Sequence, residues 1–118
     1  MGEILVRGEI RFASKPDLPP GVRATVQLRE TSMSDAPSRL VAEQVLKDIT
    51  SRANAGELIP FEISGEPPDQ RQSYSIEVLV DADSDGKPSP GDFINVQSYP
   101  VLSFGNPRTV TVEVKQIT

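Results

Sequence analysis

Apolar and polar residues alternate along most of this chain with the two-residue period of half-buried strands. In the first segment Ile4, Val6, Ile10 and Phe12 share one face, and Arg7, Glu9 and Arg11 share the other. Gly8 falls on the apolar face, which predicts a bulge or a close packing contact there. Residues 15–21 carry Pro16, Pro19, Pro20 and Gly21 and read as a rigid turn. Val22, Ala24, Val26 and Leu28 then alternate with Arg23, Thr25, Gln27 and Arg29 to give a second strand. Further along, Tyr74, Ile76, Val78 and Val80 are predicted to face inward, with Ser75, Glu77 and Leu79 outward. Residues 93–99 and 108–117 supply two more strands, the last with Val110, Val112 and Val114 on one face.

One segment resists the pattern. Over residues 39–49, Ala42, Val45, Leu46 and Ile49 fit the i, i+3, i+4, i+7 stripe of a helix, and Pro37 near the start suits a first helical turn. The β-rich surroundings favour an extended strand over part of it. Residues 31–38 and 51–56 read as loops. Ile59, Phe61 and Ile63 alternate around Pro60, which cannot donate to a ladder, so residues 58–63 are expected at a sheet edge. Such an edge would accept a partner's strand, or be protected by Pro60.

These segments make about seven short strands, separated by turns that use most of the 11 prolines and 8 glycines. That predicts a single all-β domain over residues 1–118, an immunoglobulin-like β-sandwich. Tyr74, at the start of a central-looking strand, is either a tyrosine corner or a core tyrosine with its hydroxyl at the rim.

Composition removes whole classes of chemistry. The 118 residues include no cysteine, histidine or tryptophan. A disulfide, a zinc thiolate or imidazole site, a cysteine nucleophile and a histidine-based serine triad are all excluded. No run approaches 18 apolar residues, so no membrane-spanning helix is expected. The start of the chain has neither the charged region nor the apolar stretch of a signal peptide. A cytoplasmic location follows if Met1 is the true start.

The net charge is −5, from 12 basic and 17 acidic residues. Four of the acids lie in residues 81–92, and the remaining thirteen nearly balance the bases. The acidity is therefore local, and without a basic stripe no nucleic-acid partner is expected.

Between two predicted strands lies Asp81-Ala82-Asp83-Ser84-Asp85-Gly86-Lys87-Pro88-Ser89-Pro90-Gly91-Asp92. Counting from Asp81, acids fall at positions 1, 3, 5 and 12 and glycine at 6, the ligand spacing of a twelve-residue calcium loop. Alternate carboxylates in a tight loop converge on one centre, and a hard cation takes six to eight such oxygens. Asp81, Asp83, Asp85 and Asp92 would supply carboxylates, Lys87 its backbone carbonyl, and Ser89 a hydroxyl or a bridging water. Two carboxylates about 5 Å apart repel by roughly 0.8 kcal/mol even in water, so convergence favours a cation. The departures are Asp in place of Glu at position 12, prolines at 88 and 90, and flanking strands where helices usually stand. They point to weak, structural calcium binding, and the competing reading is a solvated acidic turn.

Other candidates carry less. Ser32, Ser34 and Asp35 share a polar loop but have no base partner. Glu30 and Glu43 would need a sugar cleft, and aromatic residues make up only 5% of the chain. No enzymatic activity is expected.

A series of short motifs runs along the chain: Val6-Arg7-Gly8-Glu9-Ile10, Leu18-Pro19-Pro20-Gly21-Val22, Val26-Gln27-Leu28, Ser34-Asp35-Ala36-Pro37, Val41-Ala42-Glu43-Gln44, Ile59-Pro60-Phe61-Glu62-Ile63, Tyr74-Ser75-Ile76 and Tyr99-Pro100-Val101-Leu102. Together, in this order and spacing, they resemble the YbaY/YscW-type family of small bacterial envelope lipoproteins. The resemblance implies an immunoglobulin- or transthyretin-like sandwich, favours strand over residues 40–46, and places the chain in the cell envelope. One branch of that family pilots the secretin of type III secretion, which implies a protein partner. No family catalytic residue has a counterpart to carry over. The chain departs from the pattern in lacking the export signal and lipid-bearing cysteine, and in its long acidic loop. Two readings of function follow: a binding or accessory module holding one structural calcium ion, or a pilot-like chaperone in which the acidic loop is a plain turn.

Overall fold

The computed structural model describes residues 2–31, 38–83 and 86–118. Its elements in chain order are β1 (Glu3–Phe12), β2 (Arg23–Glu30), β3 (Arg39–Leu46), α1 (Thr50–Asn54), β4 (Ile59–Gly65), β5 (Tyr74–Asp81), β6 (Phe93–Asn95), β7 (Pro100–Val101) and β8 (Thr109–Gln116). The strands join in one sheet of order β3-β2-β5-β6-β8-β1-β4, with β7 paired to β5 beside that path. All pairings are antiparallel except β1 with β8.

The all-β class is borne out. The two stacked sheets of an immunoglobulin- or transthyretin-like sandwich are not separated here, because the strand path is continuous and the sheet curls until its end strands β3 and β4 meet. They meet through a side chain: the Glu62 N–H donates to Gln44 Oε1 at 2.7 Å. The result is a nearly closed barrel with a seam.

Period two fills the interior. Ala24, Val26 and Leu28 of β2, Ile59, Phe61 and Ile63 of β4, and Ile76, Val78 and Val80 of β5 are buried as the alternation predicts. Each fully buried aliphatic side chain contributes about 1.5–3 kcal/mol. Gly8 is a close contact rather than a bulge: a Cβ there would lie 2.2 Å from the Val110 carbonyl oxygen and 2.6 Å from the Phe61 ring. The bulge lies nearer the start, between Ile4 and Val6. It reverses the alternation, so Leu5 is buried and Ile4 is exposed, the opposite of the sequence expectation for that pair.

Residues 39–46 form a strand, which settles the ambiguous segment. A register shift between Leu28 and Arg29 places an extra residue in β3 opposite that step. Two other expectations need correction. Residues 51–56, expected as a loop, instead include the last four residues of α1 (Thr50–Asn54), which is followed by Gly56 at φ 80°. Residues 93–99 form not one strand but the short β6 and a connection to the two-residue β7, so the described residues hold eight strands.

The helix α1 is bound to the turn between β1 and β2. Asn54 Oδ1 accepts the Leu18 N–H at 2.7 Å, and Asn54 Nδ2 donates to the Leu18 carbonyl at 3.0 Å. Thr50 Oγ1 accepts the Val22 N–H and donates to the Pro19 carbonyl. Ile49 and Ala53 are buried beneath.

Candidate functional site

The acidic hairpin joins β5 to β6 and stands at the same sheet end as Arg23, which pairs with Asp81. Gly86 and Gly91 have φ of 77° and 98°, left-handed values that the turns require and that other residues adopt only at a cost. One carboxylate oxygen from each of Asp81, Asp83 and Asp92 lies within 4.8 Å of the others. Three of the four predicted carboxylates therefore meet. Asp85 lies outside the described residues, as do Ser32, Ser34 and Asp35. Lys87, expected to act through its carbonyl, is exposed in the same turn.

Asp92 is not an open loop ligand. It is completely buried. Its Oδ1 accepts the Ala82 N–H at 2.8 Å, and its Oδ2 accepts the Ser89 N–H at 3.0 Å. The Ser89 hydroxyl lies 2.7 Å from Asp83 Oδ2 and 3.0 Å from Asp92 Oδ2, and its single proton is shared between them. Asp81 Oδ2 accepts the Gly86 N–H at 2.8 Å. Backbone donors thus offset part of the charge that the sequence spacing assigned to a cation. The hairpin is also tied to the residue after β8: Ile117 N donates to the Asp92 carbonyl at 2.8 Å, and Gly91 N to the Ile117 carbonyl at 2.9 Å.

The remaining sequence candidates fall into structural roles. Glu30 accepts from Arg39 at 2.6 Å, and this hydrogen bond, with the attraction of the two charges, raises the Arg39 pKa. Glu43 accepts from Gln27. Tyr74 behaves as a tyrosine corner, its buried hydroxyl accepting the N–H of Asp69 upstream. Residues 59–63 occupy an end strand of the sheet, with Pro60 opposite Glu9.

Sequence reasoning missed two polar side chains that act as backbone. Where β6 ends, Asn95 Oδ1 accepts the Val78 N–H at 2.8 Å, and the Tyr99 hydroxyl accepts the Glu113 N–H at 2.8 Å. Both fill ladder positions left open between β5 and β8. The only advance signal is their place in a segment whose alternation breaks down. No helix of the described residues is long and apolar enough to cross a membrane.

Comparison with known proteins adds a family. The model of the type III secretion system lipoprotein chaperone family (YscW) matches residues 3–114. Among solved structures, an alternative pilotin from the type II secretion system of Vibrio cholerae superposes with a TM-score of 0.73 at 19% sequence identity, over 96% of each chain. At that identity the likeness speaks for the fold alone. No curated protein matches the chain at a significant level.

Proposed function

The chain belongs to the family of type III secretion system lipoprotein chaperones, and on that footing we propose that it is a non-enzymatic, pilot-like protein that binds a secretin and escorts its assembly in the cell envelope. The observation that carries the reading is the family match over nearly the whole chain. The fold is consistent with it: the barrel offers exposed sheet surface and a seam, and the chain has neither histidine nor cysteine for common acid–base or nucleophilic catalysis. The test is co-expression of the tagged protein with the secretin of the same genome. Retention of the secretin on the tagged protein, and more assembled secretin in the membrane fraction, are the expected results. No retention and an unchanged amount of assembled secretin would overturn the reading.

A second reading concerns the hairpin and is compatible with the first. We propose that Asp81, Asp83 and Asp92, with Asp85 and the Lys87 carbonyl, hold one structural calcium ion. Its support is the 4.8 Å convergence of three carboxylate oxygens, since oxygens about 2.4 Å from a common calcium ion lie up to about 4.8 Å apart. With dissociation constants of about 10⁻⁴ to 10⁻³ M, 10 mM calcium would stabilise the fold by roughly 1–3 kcal/mol. A thermal melt raised by calcium, lowered by chelator and made insensitive by Asp83→Asn is expected. A melt indifferent to both additions rejects the site.

A further inference from the structure

The connection between β7 and β8 holds its backbone in conformations that ordinary side chains avoid. Leu102, Phe104 and Gly105 have φ of 75°, 55° and 77°, all left-handed. The Ser103 N–H returns to the Val101 carbonyl at 2.9 Å and closes a three-residue turn around Leu102. The Asn106 N–H donates to the Ser103 carbonyl at 3.0 Å, so Phe104 and Gly105 are the central pair of a mirror-image turn. Such turns usually carry Asn-Gly or Asp-Gly, because a bulky side chain strains the first central position. The Leu102 N–H donates to the Pro107 carbonyl at 3.1 Å, and the buried Ser103 donates its hydroxyl to the Gln72 carbonyl. The tip is thus fastened on both sides.

The fold does not use the ring that this backbone presents. Phe104 is 68% exposed, more than any other large apolar side chain among the described residues, and it is not one of those packed on the core. Strain that serves no packing points to a use outside the fold.

The setting indicates that use. Residues 93–107 contain no charged side chain. The strand directions put the turn at the end of the barrel where β1 and β5 begin and β4 ends, with Gly2 against Gly65. Arg108, just behind the tip, is exposed and has no ion pair among the described residues. Arg71, next to Gln72, is paired with Asp69, and Arg39 with Glu30. Glu3 and Glu66 stand beside β1 and β4. The unpaired charges of this end nearly cancel, so whatever is held here is held by the ring. A stable protein interface buries about 1,200 Å² or more, far beyond a single ring with Gly105, Asn106 and Pro107 around it. A lipid bilayer needs no matching shape: it accepts a ring below the headgroups and offers phosphates to a cation at its base.

We propose that Phe104 is a membrane-inserting tip: its ring enters the interfacial region of a phospholipid bilayer, and Arg108 meets the headgroup phosphates. The inference rests on the reading that the protein works in the cell envelope, and it adds which end faces the membrane and through which residue. A single ring holds a free protein only marginally, so the tip acts as a second contact beside another attachment.

The chain has no tryptophan, so Phe104→Trp supplies a lone fluorescent reporter. Val96→Trp, at a position 62% exposed on the β6–β7 connection, is its control. Each full chain is held by an N-terminal polyhistidine tag on vesicles of phosphatidylethanolamine and phosphatidylglycerol that carry a nickel-chelating lipid. The Phe104→Trp emission should shift to the blue and be quenched when the acyl chains are brominated, and the Val96→Trp emission should do neither. Phe104→Asn suits the left-handed turn and should raise the melting temperature, while speeding release of the tagged chain from the vesicles by about tenfold. An unshifted Phe104→Trp emission, equal quenching of the two reporters, or unchanged release of Phe104→Asn would overturn the proposal. A concentration-dependent shift of Phe104→Trp without vesicles would overturn it too, and assign the tip to a second copy of the chain. Secretin co-purification in detergent separates this inference from the escort reading. Phe104→Asn should retain the secretin as the unaltered chain does, and its loss would give the tip to the partner and overturn the proposal. No secretin on the unaltered chain, with the vesicle result intact, removes the escort reading and leaves the tip standing.

Discussion

The Asp92 carboxylate accepts the Ala82 N–H at 2.8 Å across the neck of the β5–β6 hairpin. A residue that the sequence spacing presents as the last ligand of a metal loop is thereby also the clasp that closes the loop on the barrel. Its second oxygen accepts the N–H of Ser89, and the residue is wholly buried. Hydrogen bonds to a charged acceptor contribute about 1.5–3 kcal/mol each, so Asp92→Ala should destabilise by roughly 3 kcal/mol or more in urea unfolding. Asp92→Asn should also destabilise, because a side-chain NH₂ in place of Oδ2 would face the Ser89 N–H donor. Asp83→Asn, on an exposed residue, should leave the calcium-free melt nearly unchanged. Equal effects at positions 83 and 92 would contradict the clasp.

Gly8 is held between the Val110 carbonyl of β8 and the Phe61 ring of β4. Gly8→Ala would drive a methyl group into both, and overpacking of a core costs about 1–3 kcal/mol or more. The Phe61 side is removable and the Val110 side is not, since a backbone oxygen in a parallel ladder cannot step aside. Unfolding curves should therefore show Gly8→Ala strongly destabilised, and adding Phe61→Ala should fail to restore it. Recovery in the double variant would place the conflict at the ring alone.

Much of this was legible in the sequence wherever one side-chain face meets the core. β2 and β4 follow strict alternation, and their buried sets are those the pattern names; β5 does so except at Ser75, expected to face outward but buried beside Tyr74 and Ile76. Pro60 correctly marks an end strand. The family resemblance read from motifs between Val6 and Leu102 is borne out by the family match. Legibility fails where backbone irregularity or a polar side chain intervenes. The bulge at Ile4–Val6 exchanges the roles of Ile4 and Leu5 without any glycine to announce it. In β3, Ala42 and Leu46 pair with the inward Leu28 and Ala24, but the position between them is Gln44, whose hydrogen bond is to a strand distant in sequence. In the hairpin, spacing named the carboxylates that converge but carried no sign of the backbone donors they meet.

The seam makes Gln44 a measurable element. Its Oε1 stands in for a strand neighbour at the Glu62 N–H. Gln44→Ala should cost about 0.5–1.5 kcal/mol, the net worth of one hydrogen bond. Amide exchange at Glu62 should accelerate more than global stability falls, while Val26, central in β2, keeps its protection. Gln44→Glu retains an acceptor and should preserve the Glu62 protection. Exchange at Glu62 unaffected by either substitution would mean that the seam is closed by something other than this side chain.

Acid should loosen the turn before β5. Asp69 accepts from the Arg71 side chain at 3.2 and 3.1 Å and from the Arg71 N–H at 2.9 Å, and these bonds hold its pKa below the ordinary value of 3.8. A carboxyl whose folded-state pKa lies below its unfolded one contributes fully above the unfolded value and loses that contribution as pH falls through the folded one. The turn should accordingly be indifferent to pH near neutrality and weaken only in acid below the usual aspartate range. Both partners are exposed and screened by water, so the effect on global stability should be small. The local readout is sharper, because the Asp69 N–H also donates to the Tyr74 hydroxyl, which ties the turn to the core. Carboxyl titration by NMR should place Asp69 below 3.8, and Arg71→Ala should return it towards that value. Tyr74→Phe should leave that titration in place while raising amide exchange at Asp69. If Arg71→Ala leaves the Asp69 titration where it was, the ion pair is not what lowers it.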